Sequence, residues 1–415
     1  MKKWLMTTAA LAAVLYAGSA SAENIRIGVL ATLEGTYTVL GEDAMRGVEV
    51  ALKEIPEIDG KKIETIVAST DTTPESAVRA ARKLVEQDGV TVIVGPLSGS
   101  EGIALRDFAK QNPNITIING LSGAQEATLE DPAPNFFRYN MDGVQWGAGL
   151  GKYVVENKGW KKVASVAEDY SFGYTNFMGF AIGFCQAGGE ITERQWVPLG
   201  TKDFSSIIAA LPDDVDALYL GLGGADAVNF LNQYQQAGGN AHLIGGTIMV
   251  DGTVLNAQGD AKNALIGTPS GGPQADDSTD PAWQKFVKAY QDAFPEDKRF
   301  PTPSLFATGY YNSTMATLLA LQQVKGDVSG DQAAFREALA KLELDAPNGH
   351  IKLDHNRQAI GTNFISEVTE GPDGRLINKL VMTVENVNQT LGLPEETFKK
   401  LGLPSRETPE CKTEY

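Results

Sequence analysis

The sequence predicts an α/β protein built on two doubly wound parallel sheets, and three observations lead to that prediction. Short apolar runs rich in Val and Ile alternate with amphipathic segments, the pattern of parallel strands covered by helices on both faces. The alternation breaks near Phe136–Asp142 and then resumes with a second set of units. A mostly helical region from about Pro281 to Lys341 and another β-rich stretch follow, so we expect the chain to cross between two lobes more than once.

The predicted strands are short and nearly continuous in apolar residues: Ile25–Ala31, Ile63–Ala68, Val90–Val94, Ile115–Ile118, Val163–Val166, Ala217–Leu220 and Leu243–Gly245. The predicted helices lie between them, near Glu42–Glu54, Pro74–Gln87, Gly102–Gln111, Gly143–Asn157, Phe172–Ala187, Phe204–Leu211 and Ala225–Ala237. Ligands of such sheets bind outside the carboxyl ends of the strands. The expected binding site is therefore the cleft between the lobes.

The first 22 residues are typical of a secretion signal. Lys2 and Lys3 precede the apolar run Leu5–Ala17, and Ala20-Ser21-Ala22 forms a small-residue cleavage site. An uncleaved anchor is the alternative, but the run is short for a membrane span of roughly 20 residues. We expect an exported, soluble mature chain that begins at Glu23.

Charge and cysteine content exclude several classes of partner. The chain carries 52 acidic and 35 basic residues, a net charge of −17 without a basic stripe, which argues against nucleic acid and anionic lipid. The only two cysteines are Cys185 and Cys411. In an oxidising compartment such a pair predicts one disulfide, here pinning the C-terminal tail; two unpaired thiols are the alternative.

Two glycine- and serine-rich turns follow neighbouring predicted strands. GPLSGS spans Gly95–Ser100 and NGLSGA spans Asn119–Ala124, and the first leads directly into a helix whose N–H groups favour an anion. The hydroxyls of Ser98, Ser100 and Ser122 add donors. The pair of turns predicts a carboxylate cradle, and helix N-capping by serine is the alternative for each turn alone.

Aromatic side chains are expected on the other wall of the cleft. DYSFGY follows the strand Val163–Val166 and supplies Tyr170 and Phe172, while Tyr37 lies in the first loop. These rings are candidates to hold an apolar ligand body. Asp251, at another strand end, is expected either to pair with a cation or ligand hydroxyl or to cap a short helix.

No catalytic, metal or cofactor motif is complete. GLSGA has Ala124 where a nucleophile elbow requires glycine, and GLGG at Gly221–Gly224 lacks the third glycine of a dinucleotide fingerprint. The three histidines, His242, His350 and His355, do not form a zinc pattern. We therefore expect no cofactor, no metal and no enzymatic activity.

In its order of segments the chain resembles the leucine/isoleucine/valine-binding proteins, the periplasmic receptors of branched-chain amino acid ABC importers. The segments that carry the resemblance are IRIGVLATLEGTYTVLGEDAMRGVEVAL, DTTPESAVRAARKLVEQDGVTVIVGPLSGS, ITIINGLSGAQEAT, FFRYNMDGVQWGAGLGKYV, EDYSFGYTNFMGFAI and LNAQGDAKNALIGTPSGGP. The resemblance implies a type I periplasmic binding fold, with two Rossmann-like lobes, a ligand cleft between them and three crossovers.

The resemblance also implies a domain plan. Residues 1–22 are the signal peptide, 23–140 and 271–348 form lobe 1, and 141–270 and 349–415 form lobe 2 with the C-terminal tail. The crossovers are expected near Arg138–Asp142, Thr268–Pro273 and Ala346–Lys352. Such a protein is expected to be a periplasmic monomer that closes on its ligand by hinge motion.

The family's carboxylate-binding positions correspond to Gly99, Leu121 and Gly123, and its second-lobe aromatic position corresponds to Phe172. Gly223 stands at the family's tyrosine position, which predicts a larger pocket. The family's acidic partner for the ligand ammonium falls near residues 247–248, where no acid stands, and Asp251 is the nearest replacement. A buried ammonium without a carboxylate costs several kcal/mol, so an aromatic or aliphatic acid competes with an amino acid as the expected ligand.

Three functions remain open from the sequence. The first is a solute receptor that delivers a small carboxylate to an ABC permease and ATPase. The second is a sensor that docks on a membrane signalling protein. The third, a secreted α/β hydrolase, lacks a base beside Ser98 or Ser122.

Overall fold

The computed structural model describes residues 24–256 and 261–415, which form two lobes, each built on its own sheet. The predicted α/β fold class with two lobes is confirmed. The predicted signal segment, Met1–Ala22, lies outside the described residues. Among the residues described, no helix combines the length and hydropathy that a membrane span requires.

The first-lobe sheet has six strands in the order β2-β3-β1-β4-β5-β6. The strands are β1 (Ile25–Thr32), β2 (Glu57–Ile58), β3 (Lys61–Thr70), β4 (Val92–Val94), β5 (Thr116–Ile118) and β6 (Phe136–Phe137). All neighbours are parallel except the β2–β3 pair. The strand order reverses between β1 and β4, the kind of switch point where parallel sheets bind ligands.

The second-lobe sheet follows the order β12-β13-β14-β11-β10-β9-β7-β8, and β15 pairs with β14. Its strands are β7 (Lys162–Glu168), β8 (Glu190–Val197), β9 (Ala217–Gly221), β10 (His242–Gly245), β11 (Pro269–Gly272), β12 (Leu344–Ala346), β13 (Gly349–Leu353), β14 (Ala359–Glu370) and β15 (Leu376–Val387). Strands β7 to β11 are parallel, and β14 and β15 are antiparallel. Here the order reverses between β7 and β9.

Fifteen helices cover the sheets in the part of the chain that is described: α1 (Thr38–Glu54), α2 (Pro74–Arg82), α3 (Gly99–Gln111), α4 (Glu126–Leu129), α5 (Gly143–Trp146), α6 (Leu150–Tyr153), α7 (Ser171–Gln186), α8 (Ser205–Ala209), α9 (Gly224–Gln236), α10 (Gly252–Leu255), α11 (Ala261–Leu265), α12 (Pro281–Ala293), α13 (Leu305–Gln323), α14 (Ala333–Lys341) and α15 (Glu395–Lys399). Capping residues in the sequence determine where several of these helices begin. Thr73 and Ser304 accept N-terminal N–H groups of α2 and α13, and Pro74 occupies the first position of α2.

One predicted helix is divided in the structure. The segment expected to be continuous over Gly143–Asn157 contains α5, a break at Gly149 and then α6. Gly149 has a φ of +86°, a left-handed conformation that ends a helix and that glycine adopts at little cost. The break places Trp146 at the last turn of α5, beside the cleft.

The chain leaves the first sheet after β6, leaves the second sheet after β11, and returns to the second sheet through β12 to β14. Helix α13 packs on α1, which returns the helical region to the first lobe. Strands β12 and β13 continue the second sheet beyond β14 and lie against α13 and α14. Side chains at the crossings are buried and tied to one another: Gln358 donates to the Asn140 carbonyl at 3.0 Å, and Gln389 donates to Asp142 at 2.8 Å.

A disulfide joins Cys185, near the end of α7, to Cys411 in the C-terminal tail, with the Cα atoms 5.3 Å apart. The tail therefore lies along the second lobe. Phe398 of α15 is buried against Val144, Met178 and Ile182, which extends this contact along α7.

Candidate functional site

The first wall of the cleft is the pair of turns after β4 and β5. Ser98 is the N-cap of α3, and its backbone N–H donates to the buried Glu101 carboxylate at 3.0 Å, as in a capping box. Its hydroxyl donates to the Thr72 carbonyl at 3.0 Å. The backbone N–H groups at Gly99 and Ser100 begin the helix and have no acceptor within it, so this end of α3 attracts an anion.

The second turn is held against the first by backbone hydrogen bonds. The N–H groups of Leu121 and Ser122 both donate to the Pro96 carbonyl, at 3.0 and 3.2 Å. The Ser122 hydroxyl donates to the Gly99 carbonyl at 3.4 Å. The carboxyl ends of β4 and β5 thus form one continuous surface.

Two glycines allow the second lobe to approach this surface. A Cβ on Gly123 would lie 2.7 Å from Cδ2 of Phe172, and a Cβ on Gly99 would lie 2.6 Å from Oγ of Ser171. Both distances are shorter than real carbon contacts. Only glycine fits at these positions while the cleft is closed.

The cleft contains a small cavity, in which the centres of water-sized molecules have about 20 Å³ of space. Five aromatic and four aliphatic side chains, together with Ser98, Gly99 and Gly123, line it: Tyr37, Trp146, Tyr170, Phe172 and Phe306, and Leu97, Leu121, Ile248 and Leu305. The rings of Trp146 and Phe172 meet edge to face with centroids 5.7 Å apart. Among the residues described, none accepts a hydrogen bond from the buried indole Nε1–H of Trp146.

The loop Glu168–Phe172 of the second lobe, which runs from the last residue of β7 into the first turn of α7, forms the opposite wall. Glu168 ends β7 and is fully buried, where its carboxylate accepts hydrogen bonds from the Tyr37 hydroxyl and, at 3.1 Å, from the Gly223 N–H. The Tyr37 hydroxyl also lies 3.1 Å from that of Tyr170. Because Tyr37 belongs to the first lobe and the others to the second, these bonds hold the two lobes together.

Burial raises the pKa of Glu168 to about 8, and the nearby Asp226 and Asp251 add to the effect, while hydrogen bonds from Tyr37 and Gly223 oppose it. The carboxyl is therefore mostly protonated at neutral pH. Sequence reasoning missed this residue. The available signal was an acidic side chain at the carboxyl end of a predicted strand, one residue before the DYSFGY segment.

Six of the ten predicted ligand residues line the cavity: Tyr37, Ser98, Gly99, Leu121, Gly123 and Phe172. Ser100 instead faces Ser171 across the cleft, with the two hydroxyl oxygens 3.3 Å apart. The hydroxyl of Ser122 is used within its own wall.

The remaining two predicted residues lie behind the second wall. The space beside Gly223 is filled by Ile248, since a Cβ there would be 2.4 Å from Cδ1 of that side chain. Asp251 caps α10 by accepting the Thr253 N–H at 2.6 Å, and burial raises its pKa to about 6. Neither residue is part of the cavity lining.

The cavity is also lined by five residues that the sequence patterns did not predict as ligand residues: Leu97, Trp146, Ile248, Leu305 and Phe306. Leu305 and Phe306 begin α13, and Trp146 ends α5, so they reach the cavity from helices that follow chain crossings. In the described residues there is no cluster of three or more His, Cys, Asp or Glu side chains able to hold a metal ion.

Comparisons with known proteins agree with this architecture. A sequence model described as periplasmic binding protein matches residues 24–374. The Leu/Ile/Val-binding protein homolog 6 of Brucella melitensis is 25% identical over 400 residues, which cover 93% of this chain and 97% of the relative.

Two solved structures are also similar. An ABC transporter substrate-binding protein from Sphaerobacter thermophilus is 29% identical with a TM-score of 0.78, covering 88% of this chain and 99% of that one. A solute binding protein of an ABC transporter from Rhodopseudomonas palustris BisB5, in complex with 3,4-dihydroxy benzoic acid, is 25% identical with a TM-score of 0.80 and covers 88% and 98%.

Proposed function

Because the chain belongs to the periplasmic binding protein family, we propose that it is the solute receptor of an ABC importer and that its ligand is a small carboxylate with an apolar, preferably aromatic, body. The supporting observation is the cavity between the lobes, where backbone turns at the start of α3 face five aromatic side chains. The same proposal places residues 1–22 as a removed signal peptide and the working protein in the periplasm as a monomer.

The first wall is suited to the carboxylate. The N–H groups at the start of α3 carry the positive end of the helix dipole, and burial strengthens their interaction with an anion. We infer that Ser98, Gly99, Ser100, Leu121, Ser122 and Gly123 form this end of the site. The N–H groups of Gly99 and Ser100 are available to the anion, because those of Ser98, Leu121 and Ser122 already donate within the wall. The indole N–H of Trp146, which has no acceptor among the described residues, is a further donor at the cavity surface.

The second wall is suited to the apolar body. Tyr170 and Phe172 of this wall, together with Tyr37 of the first lobe, present ring faces and edges to a ligand. Gly223 supports the second wall by giving room to Ile248. Asp251 supports the same wall as the cap of α10. We assign no chemical step to any of these residues, because receptor function requires only binding and release.

The similar proteins point to two classes of ligand, amino acids and aromatic acids. The Brucella protein is named for leucine, isoleucine and valine, and the Rhodopseudomonas protein holds a dihydroxybenzoic acid. Glu168, the acid bonded to the cavity-lining Tyr37, favours the second class, because its carboxyl is mostly protonated at neutral pH. An amino acid would need an ionised partner for its ammonium in this apolar site.

A ligand screen tests this proposal. Purified protein would be titrated by calorimetry with 4-hydroxybenzoate, benzoate, L-leucine and benzamide, with thermal shift as a second readout. We expect both benzoates to bind and benzamide, which lacks the carboxylate, to fail. Binding of L-leucine alone would move the ligand to the amino acid class. Equal binding of benzamide and benzoate would overturn the carboxylate assignment.

A further inference from the structure

The C-terminal tail, residues 400–415, is fastened to the second lobe at its far end. Cys411 is bonded to Cys185 near the end of α7. The guanidinium of Arg194, on β8, donates to the carbonyls of Glu407 at 2.9 Å and Pro409 at 2.5 Å. The same guanidinium lies over the Phe177 ring, 5.0 Å from its centroid. These contacts give the tail one defined path over the lobe.

The near end of the tail reaches the loop that forms the second wall of the cleft. Arg406 donates from Nε to Oδ1 of Asp169 at 2.8 Å and from its terminal nitrogen to Oδ2, a two-pronged ion pair. The Tyr174 hydroxyl donates to the same carboxylate. Burial acts to raise the pKa of Asp169, but the bonds from Arg406 and Tyr174 hold it below its ordinary value.

Asp169 connects the tail to the residues around the cavity. Its two neighbours in the chain both bond to Tyr37 across the cleft, Glu168 through its carboxyl group and Tyr170 through its hydroxyl group. Phe172 is two residues further on and lines the cavity. The side chain of Asp169 itself is not part of the cavity lining. A contact that fixes the position of Asp169 therefore also restrains Glu168, Tyr170 and Phe172.

We propose that the tail is a brace that holds the loop Glu168–Phe172 in its cleft-closing position, with Arg406 as the positioning residue and the Cys185–Cys411 bond as the anchor. The brace spans α7, since Asp169 precedes the helix and Cys185 lies near its end. This inference rests on the proposed function, because ligand affinity is what the braced loop serves.

A tail that only stabilised the fold would affect different measurements from a tail that positions the loop Glu168–Phe172. Arg406 is exposed, and an exposed ion pair contributes little to global stability. Loss of Arg406 is therefore expected to leave the melting temperature nearly unchanged while it loosens the loop. Affinity and local exchange, not unfolding, are the readouts that separate the two roles.

The test compares Arg406→Ala with Lys412→Ala, which removes another exposed tail cation, paired only with Glu410 in the described residues. Hydrogen exchange of the peptide covering residues 168–173 would be measured in ligand-free protein, and the Kd for 4-hydroxybenzoate by calorimetry. We expect faster exchange and a Kd raised about threefold to tenfold in Arg406→Ala, with neither change in Lys412→Ala. Cys411→Ser is expected to show the same changes to a smaller degree.

A double-mutant cycle localises the effect. Asp169→Asn combined with Arg406→Ala is expected to be no weaker than either single variant, because both remove one contact. Wild-type exchange and wild-type Kd in Arg406→Ala would overturn the brace. If the unaltered protein binds none of the carboxylates, the proposed ligand class fails separately. In that case the exchange result alone decides: faster exchange supports the brace, and unchanged exchange refutes it.

Discussion

The two walls of the cleft are built in different ways. The first wall, formed by the turns after β4 and β5, has polar groups that belong mainly to the backbone, beside the Leu97 and Leu121 side chains. The Pro96 carbonyl ties the two turns together, and the N-terminus of α3 closes them. The second-lobe wall is mostly side chain, with Glu168, Tyr170 and Phe172 presented by one loop. A backbone wall suits a group common to many ligands, such as a carboxylate, whereas a side-chain wall sets selectivity and closure. Three changes test this division.

Gly123→Ala is expected to have the largest effect, because it adds an atom to the backbone wall where the side-chain wall presses on it. The new Cβ would lie 2.7 Å from Phe172, so the lobes could fold but not close fully. Overpacking of this kind costs about 1–3 kcal/mol, and we expect a Kd about 30-fold higher. Calorimetry measures the Kd, and small-angle scattering should show that the variant with ligand is more open than the wild type with ligand.

Gly183→Ala is the matched control for that change. It adds the same atom on α7, where the nearest other atom is 3.6 Å away, an ordinary contact. A similar loss of affinity in both variants would mean that the effect at Gly123 is not specific to the cleft.

Trp146→Phe is expected to have an intermediate effect. It keeps an aromatic ring in the cavity but removes the indole N–H that has no acceptor among the described residues. A lost hydrogen bond to a charged ligand corresponds to roughly a tenfold rise in Kd. Trp283→Phe removes another buried indole N–H without an acceptor in the described part of the chain. Trp283 lies outside the cavity lining, so the Kd of this variant should stay at the wild-type value. Equal Kd values for the two variants would assign Trp146 to packing alone.

Glu168→Gln tests the side-chain wall through pH and should give the smallest effect. The folded-state pKa is about 8, above the roughly 4.3 of an unfolded glutamate, so the folded protein holds a proton that the unfolded chain releases. This stabilisation is complete below the unfolded pKa and is lost as pH rises toward 8. Between pH 6.5 and 7.5 the free energy of unfolding should fall by about 1 kcal/mol more in the wild type than in the variant.

Urea unfolding at several pH values measures that difference. Asp142→Asn at the crossings is the comparison, because burial raises the pKa of Asp142 only to about 6. Its contribution is lost as pH rises from about 4 to 6, so its slope should match the wild type above that range. Parallel slopes for Glu168→Gln and the wild type above pH 6.5 would show that Glu168 is already ionised.

The residues of the first wall could be predicted from the sequence more completely than the other residues of the cavity, for a physical reason. The first wall follows from local patterns, since apolar runs mark β4 and β5 and the carboxyl ends of parallel neighbours must share an edge. Tyr37 and Phe172 were found in the same way, as loop residues after a strand. Trp146, Leu305 and Phe306 could not be found so, because each reaches the cavity only after the chain has crossed between lobes.

By itself the sequence determined the fold class, the two-lobed order of units and the backbone wall, because hydrophobic periodicity and turn residues act over a few positions. The tertiary structure alone decided which acid forms a hydrogen bond across the cleft. Asp251 is used as a helix cap, while Glu168 is buried against Tyr37 of the other lobe. It also decided that Arg406 meets Asp169, a contact between residues 237 positions apart. Such pairings depend on lobe closure and chain path, which no local pattern encodes.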